Sequence, residues 1–468
     1  MAEDGATPPV DAGSTTPEDP SSTLLSKGFV VLLMIAAVVG VAVSLAAWCF
    51  VELIYQIQQE LYHHLPSALG YSHGPPIWWS LPILAIAGLI TALAIVRLPG
   101  QGGHIPAEGL KVGGGTAQPI ELPGIILAGL ASIGLGAVIG PEAPLIALGA
   151  GLAVATIKLA RRETPPQALV VVAATGSFAA LSFVFSSPLI AAVVLIEATG
   201  LGRDRLPIVL LPGLLGAGIG SLISIGMGSF TGLSTSAYAL GPLALPAFHQ
   251  PTIAEFGWSI GLAVIVAVAA YLIRTGGLGT QRIVKPRQLL LLPVCGLIVS
   301  GLAIAFSEAT GKGTSEVLFS GQSALPGLVS GASTWSLSAL ALLIVFKGIG
   351  YSISLGSFRG GPTFPAIFLG AAGGVMASHL PGFPISAAVA VGIGCGTVAI
   401  LRLPLTAVVL AALLTSKAGP GVEPLAITGV IVTYLVTLWL SALQTARSTR
   451  ASAVTESDAG VPAPVAAK

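Results

Sequence analysis

Between residues 28 and 445 the chain is a succession of apolar stretches of uneven length. They fall near 28–58, 77–97, 119–139, 142–157, 167–199, 206–227, 252–273, 288–306, 335–355, 362–380, 385–401, 404–415 and 423–445. A plain helix across about 30 Å of hydrocarbon needs roughly 20 residues, so the shorter stretches are expected to be half-helices or re-entrant pieces. Only 8% of the 468 residues are charged, whereas soluble domains carry roughly 25%. Too few charges remain to coat a water-facing surface, so the expected class is an all-α polytopic membrane protein.

Glycine numbers 60 and proline 34, many of them inside the apolar stretches. This points to broken helices and close helix packing. Backbone at membrane depth that is not bonded within a helix is tolerated only against protein or a wet cavity, so the chain is expected to enclose a polar path.

The scattered charges orient the spans. Lys27 precedes the first, Arg447 and Arg450 follow the last, and Arg274, Arg282, Lys285 and Arg287 are read as one short basic loop. The positive-inside rule places all of these, and both termini, in the cytoplasm. The 60–76 segment, with His63, His64 and His73 but no Lys or Arg, falls outside, and its histidines read as solvated loop residues rather than a metal site. Residues 1–25 and 447–468 read as disordered tails flanking a membrane domain over 26–446. A long span begins each half, at 28 and at 252, and their basic flanks run them in opposite directions. That is the pattern of an inverted repeat, about 26–227 and 252–446.

Other classes lack their residues. A net charge of +1 with no basic face gives nucleic acid no purchase. No His-Glu-x-x-His or Gly-x-Ser-x-Gly pattern is positioned for catalysis, so no enzyme, metal or cofactor is expected. Cys49, Cys295 and Cys395 sit singly in apolar runs and read as small hydrophobes.

Three Gly/Pro-rich turns carry the chemistry: Gly102-Gly103-His104-Ile105-Pro106, Gly140-Pro141-Glu142-Ala143-Pro144 and Gly360-Gly361-Pro362-Thr363-Phe364-Pro365. Each is expected to open a helix inside the membrane. Unbonded first-turn amides and the macrodipole hold an anion there without a formal cation. No Lys or Arg lies within these turns, and a full charge would hold an ion too tightly to release it. Glu142 is an acid in the first turn of one such helix, and an acid at membrane depth is a functional candidate.

These turns resemble motifs of the CLC family of chloride channels and proton-coupled chloride exchangers. Gly140 to Pro144 is similar to the family's Gly-Lys/Arg-Glu-Gly-Pro, Gly102 to Pro106 to Gly-Ser-Gly-Ile-Pro, and Gly361 to Pro365 to Gly-x-Phe-x-Pro. Ser187-Pro188-Leu189 running into Leu195-Ile196-Glu197, and Arg402-Leu403-Pro404-Leu405-Thr406, keep the family's order and spacing. The resemblance implies a CLC-type inverted repeat, a homodimer with one pore per subunit in the cell membrane, and chloride as the transported ligand. It also implies Glu142 as the gate. The anion-binding candidates are then Gly103, His104, Ile105, Gly140, Ala143, Thr363 and Phe364.

The chain departs from the family at several points. Gly103 and His104 stand where the family offers a serine hydroxyl, so His104 is either a pore-lining donor or a packed neutral histidine. Pro362 has no amide proton, which leaves Thr363 and Phe364 as donors. Val422 stands where a tyrosine is often found, with Tyr434 further on. Pro141 replaces a basic residue. Ala198 replaces the second glutamate that exchangers commonly use as inner proton acceptor, while Glu197 reads as a structural acid or part of a proton path. The expectation is passive or weakly proton-coupled chloride conduction. The alternatives are a proton/chloride exchanger with another inner route, or a relative selective for fluoride or nitrate.

Overall fold

The computed structural model describes residues 24–109, 117–160, 166–199, 206–233 and 240–459. The remainder of the two expected tails, 1–23 and 460–468, lies outside them. The first half holds seven longer helices: α1 Lys27–Gln59, α2 Ser80–Arg97, α3 Leu122–Gly134, α4 Glu142–Ala160, α5 Pro166–Phe185, α6 Pro188–Thr199 and α7 Leu206–Thr231. The second half holds seven more: α8 Ile253–Val284, α9 Gln288–Thr310, α10 Leu337–Ser357, α11 Thr363–Ala377, α12 Ile385–Leu401, α13 Pro404–Leu414 and α14 Glu423–Ala459. Among the described residues the only β pairing is an isolated bridge between Gly140 and Gly361.

The protein is an integral membrane protein. Eight helical stretches are long and apolar enough to span, and five shorter apolar helices lie among them. Large hydrophobics such as Leu222, Ile265, Leu290 and Leu435 face outward, as a lipid solvent requires.

The two halves pack alike. In the first, α1 lies on α7, α4 on α5, and α5 on both α6 and α7. The second repeats this register, with α8 on α14, α11 on α12, and α12 on both α13 and α14. The halves meet along α2 and α9. Glycine permits the matching close approaches: a Cβ on Gly149 would overlap the Gly176 carbonyl between α4 and α5, and one on Gly370 would overlap the Gly392 carbonyl between α11 and α12.

Four sequence boundaries are corrected. Arg274 and Arg282 are not in a loop, because α8 starts from a Thr252/Glu255 capping box and runs without interruption to Val284. Only Lys285 to Arg287 form the turn, at Pro286. His63 and His64 belong to a π-helical turn that continues α1, and His64 Nδ1 lies 2.9 Å from Glu60 Oε1. The 167–199 stretch breaks where Ser186 takes a left-handed φ of 49° and Pro188 opens α6. Finally, α14 continues to Ala459, past the expected boundary at 446, because no Gly or Pro interrupts residues 430–459.

Candidate anion site and gate

The turn before α4 and the turn before α11 are joined by backbone. Gly140 N–H donates to the Gly361 carbonyl at 2.8 Å, and Gly361 N–H returns a bond to the Gly140 carbonyl at 2.5 Å. This pairing ties the first half to the second and brings two helix N-termini together. A Cβ on either glycine would fall onto the Glu142 carboxylate, so a side chain at either position would displace it.

Glu142 is the first residue of α4 and is fully buried. Its carboxylate reaches across to the other half: Oε1 accepts the Phe364 amide of α11 at 2.8 Å, and Oε2 has no hydrogen-bond partner. The first intrahelical bond of α4 is Leu145 N–H to the Pro141 carbonyl. The Glu142 and Ala143 amides therefore lie ahead of the hydrogen-bonded turn, in the region of positive partial charge. On the other side Thr363 and Phe364 are buried, and the Phe364 ring packs against Phe185 at 5.5 Å. Tyr351, fully buried on α10, donates its hydroxyl to the Pro362 carbonyl at 2.5 Å and so fixes the approach to α11.

The Gly102–Pro106 turn is built differently from the expectation. It opens not a helix but a single 3-10 turn, Pro106–Glu108, which ends where Gly109 takes a φ of 91°. Gly103, at φ 91°, has its amide bonded to the Gly100 carbonyl at 2.8 Å. The His104 imidazole is tied to the Gly109 carbonyl, and the Ile105 carbonyl accepts the Glu108 amide. The structure thus brings Gly140, Glu142, Ala143, Thr363 and Phe364 together, while residues 103–105 belong to a turn that meets them by way of Arg359.

Sequence reasoning missed Arg359. It abuts Gly360, is 5% exposed, and donates Nε to the Gln101 carbonyl and Nη1 to its neighbour's carbonyl, both at 3.3 Å. Its amide bonds Ser132 Oγ on α3 at 3.1 Å. A full cation therefore stands at the seam of two turns that themselves hold none. Its position directly before Gly360-Gly361 was the available signal. Lys347 was also missed: fully buried on α10, its ammonium donates to the carbonyls of Glu316, Val317, Leu318 and Phe319 at 2.9–3.2 Å.

Glu197 lies at a different helix end. Its two oxygens accept the Leu405 and Thr406 amides at 2.8 and 2.7 Å, capping α13. Val422 is buried just before α14, and Tyr434 sits on α14 against Val398, Ala407 and Val430.

Residues 88–438 match the family described as Voltage gated chloride channel. The chain is 27% identical over 372 residues to "Putative ion-transport protein YfeO" of Escherichia coli O1:K1 / APEC, covering 79% of this chain and 84% of the relative. It is also 27% identical over 380 residues to the protein of the same name in Salmonella schwarzengrund, covering 79% and 85%. Among solved structures, a slow cyanobacterial Cl-/H+ antiporter aligns with a TM-score of 0.70 at 21% identity, over 87% of this chain and 94% of that one. A CLC-type fluoride/proton antiporter aligns at 0.64 and 19%, over 87% and 95%. The likeness at these identities establishes a shared fold.

Proposed function

Because this chain belongs to the voltage-gated chloride channel family, we propose that it moves small anions, chloride first among them, across a membrane by a path that Glu142 gates. The observation that carries this reading is the position of the Glu142 carboxylate. It holds the Phe364 amide at the N-terminus of α11, a place suited to an anion by its unbonded amides and dipole. Carboxylate and permeant anion then compete for the same donors. Protonation removes the charge that holds Oε1 on the amide, and the vacated site takes the anion.

Thr363, buried at the same helix end, brings the hydroxyl that Gly103 lacks. Gly140 and Ala143 complete the wall on the α4 side, and the 103–105 turn serves as the approach. Glu197 is a cap for α13 in this reading, which together with Ala198 leaves no acid pair at the inner end and favours passive or weakly coupled conduction. A second reading, proton-coupled exchange, takes support from the protonatable Glu142 itself and from the antiporters that share the fold. We further place both termini in the cytoplasm, the protein in the cell membrane, and two copies in the working assembly.

Reconstituted protein tests this directly. Liposomes loaded with radioactive chloride are expected to empty faster with the protein than without. An imposed chloride gradient that drives proton uptake selects exchange over passive conduction. Efflux equal to that of empty liposomes under every gradient overturns the transport reading.

A further inference from the structure

A cavity of about 360 Å³ lies among α8, α10, α11 and α12. That is within the size range of small-molecule sites. Leu262, Val266, Ala270 and Ile273 line it from α8, at helical spacing, and Leu369 and Gly373 from α11. Tyr351 is its polar side chain of note, and that hydroxyl is already bonded to the Pro362 carbonyl. The lining residues Ile265, Leu337 and Leu380 are 65%, 52% and 39% exposed, so the cavity opens on the surface that meets hydrocarbon.

Two arginines stand at one end of it. Arg274 follows Ala270 by one helical turn on α8, and Arg402 follows the lining residue Ile400 by two positions, at the left-handed C-cap of α12. Their neighbours Ile273 and Ile400 line the same cavity on the packed helices α8 and α12, and among the described residues neither arginine is paired with a carboxylate. Arg402 donates Nη2 to Ser441 Oγ on α14 at 2.6 Å, while its buried Nε has no partner. Two like charges at membrane depth without an acid call for an anion. Arg282, Lys285 and Arg287 follow on the same side, which is the inner-leaflet side by the positive-inside rule.

We propose that this is a binding site for one anionic phospholipid, with an acyl chain in the cavity and the phosphate on Arg274 and Arg402. Basic pockets between spans on the cytoplasmic side bind such headgroups, and an unbranched chain fits an apolar slot that opens to lipid. A bound chain touches Tyr351 and through it the Pro362 carbonyl at the start of α11, so occupancy bears on the anion site from behind.

Native mass spectrometry of the full-length protein in mild detergent, with phosphatidylglycerol or phosphatidylcholine of identical chains added, tests this without reference to transport. Wild type is expected to retain phosphatidylglycerol preferentially. Arg274→Gln and Arg402→Gln should each weaken that retention about fivefold, and the Arg274→Lys/Arg402→Lys protein should keep most of it. Gly373→Leu should lose both lipids; a Cβ there meets nothing nearer than 3.9 Å, so the side chain leaves the backbone without a clash and occupies the slot. Equal retention of the two lipids by wild type overturns the proposal, as does undiminished retention by the Gln variants or by Gly373→Leu.

Discussion

The Glu142 carboxylate of α4 accepts the Phe364 amide of α11 at 2.8 Å, although the two residues stand 222 positions apart in opposite halves of the fold. An acid at the end of its own helix thus caps its counterpart in the other repeat. Its second oxygen, Oε2, is buried without a hydrogen-bond partner and so adds nothing to the contact.

Gly361 is the residue that makes room for that contact. A Cβ would fall on the Glu142 carboxylate, while nothing about the Gly361 backbone requires glycine, its φ not being positive. Gly361→Ala is therefore expected to push Glu142 off the Phe364 amide and raise chloride efflux at neutral pH several-fold, which efflux from liposomes measures. Adding Glu142→Gly should remove the clash and restore the thermal stability lost in the single variant. A Gly361→Ala protein with wild-type efflux and pH response contradicts the contact.

Glu197 is expected to matter for stability. Two amides of α13 depend on it, and loss of a helix cap costs about 0.5–2 kcal/mol. Glu197→Ala should lower the melting temperature in detergent by a few degrees, with Glu197→Gln losing less because one acceptor remains. Proton uptake driven by a chloride gradient should be the same in wild type and Glu197→Gln. A selective loss of that uptake, with stability intact, assigns Glu197 to a proton path instead.

Lys347 is a cation held by four carbonyls of the 316–319 segment and by the face of Phe368, 4.6 Å away. Lys347→Met keeps much of the volume but leaves those carbonyls without a donor, which should cost about 3 kcal/mol or more. Thermal unfolding in detergent is the measurement, and a melting temperature within a degree of wild type contradicts the structural role.

The site was legible in part because helix ends are written locally. Gly-Pro pairs stop one backbone and start another, so the turns at 140 and 361 and the acid at 142 stand out. What could not be read is which helix the acid serves, for that depends on the Gly140–Gly361 bridge between halves. The reach of α8 was hidden for a related reason. Gly276, Gly277 and Gly279 look like helix breakers, yet Gly277 and Gly356 allow α8 and α10 to pack closely, where a Cβ on Gly356 would overlap the Gly277 carbonyl. Arg359 and Lys347 each find their partners in backbone carbonyls, an acceptor type every residue supplies, so no pattern of side chains announces them.

The most direct measurement is chloride efflux from liposomes at about pH 4.5 and about pH 7.5, for wild type and Glu142→Gln. The neutral amide cannot compete with an anion by charge, so it mimics the protonated gate at every pH. Wild-type efflux is expected to rise as pH falls. The Glu142→Gln protein is expected to conduct at both values, faster than wild type at the higher one, with no pH response. A Glu142→Gln protein that keeps the wild-type pH profile removes Glu142 from the gate.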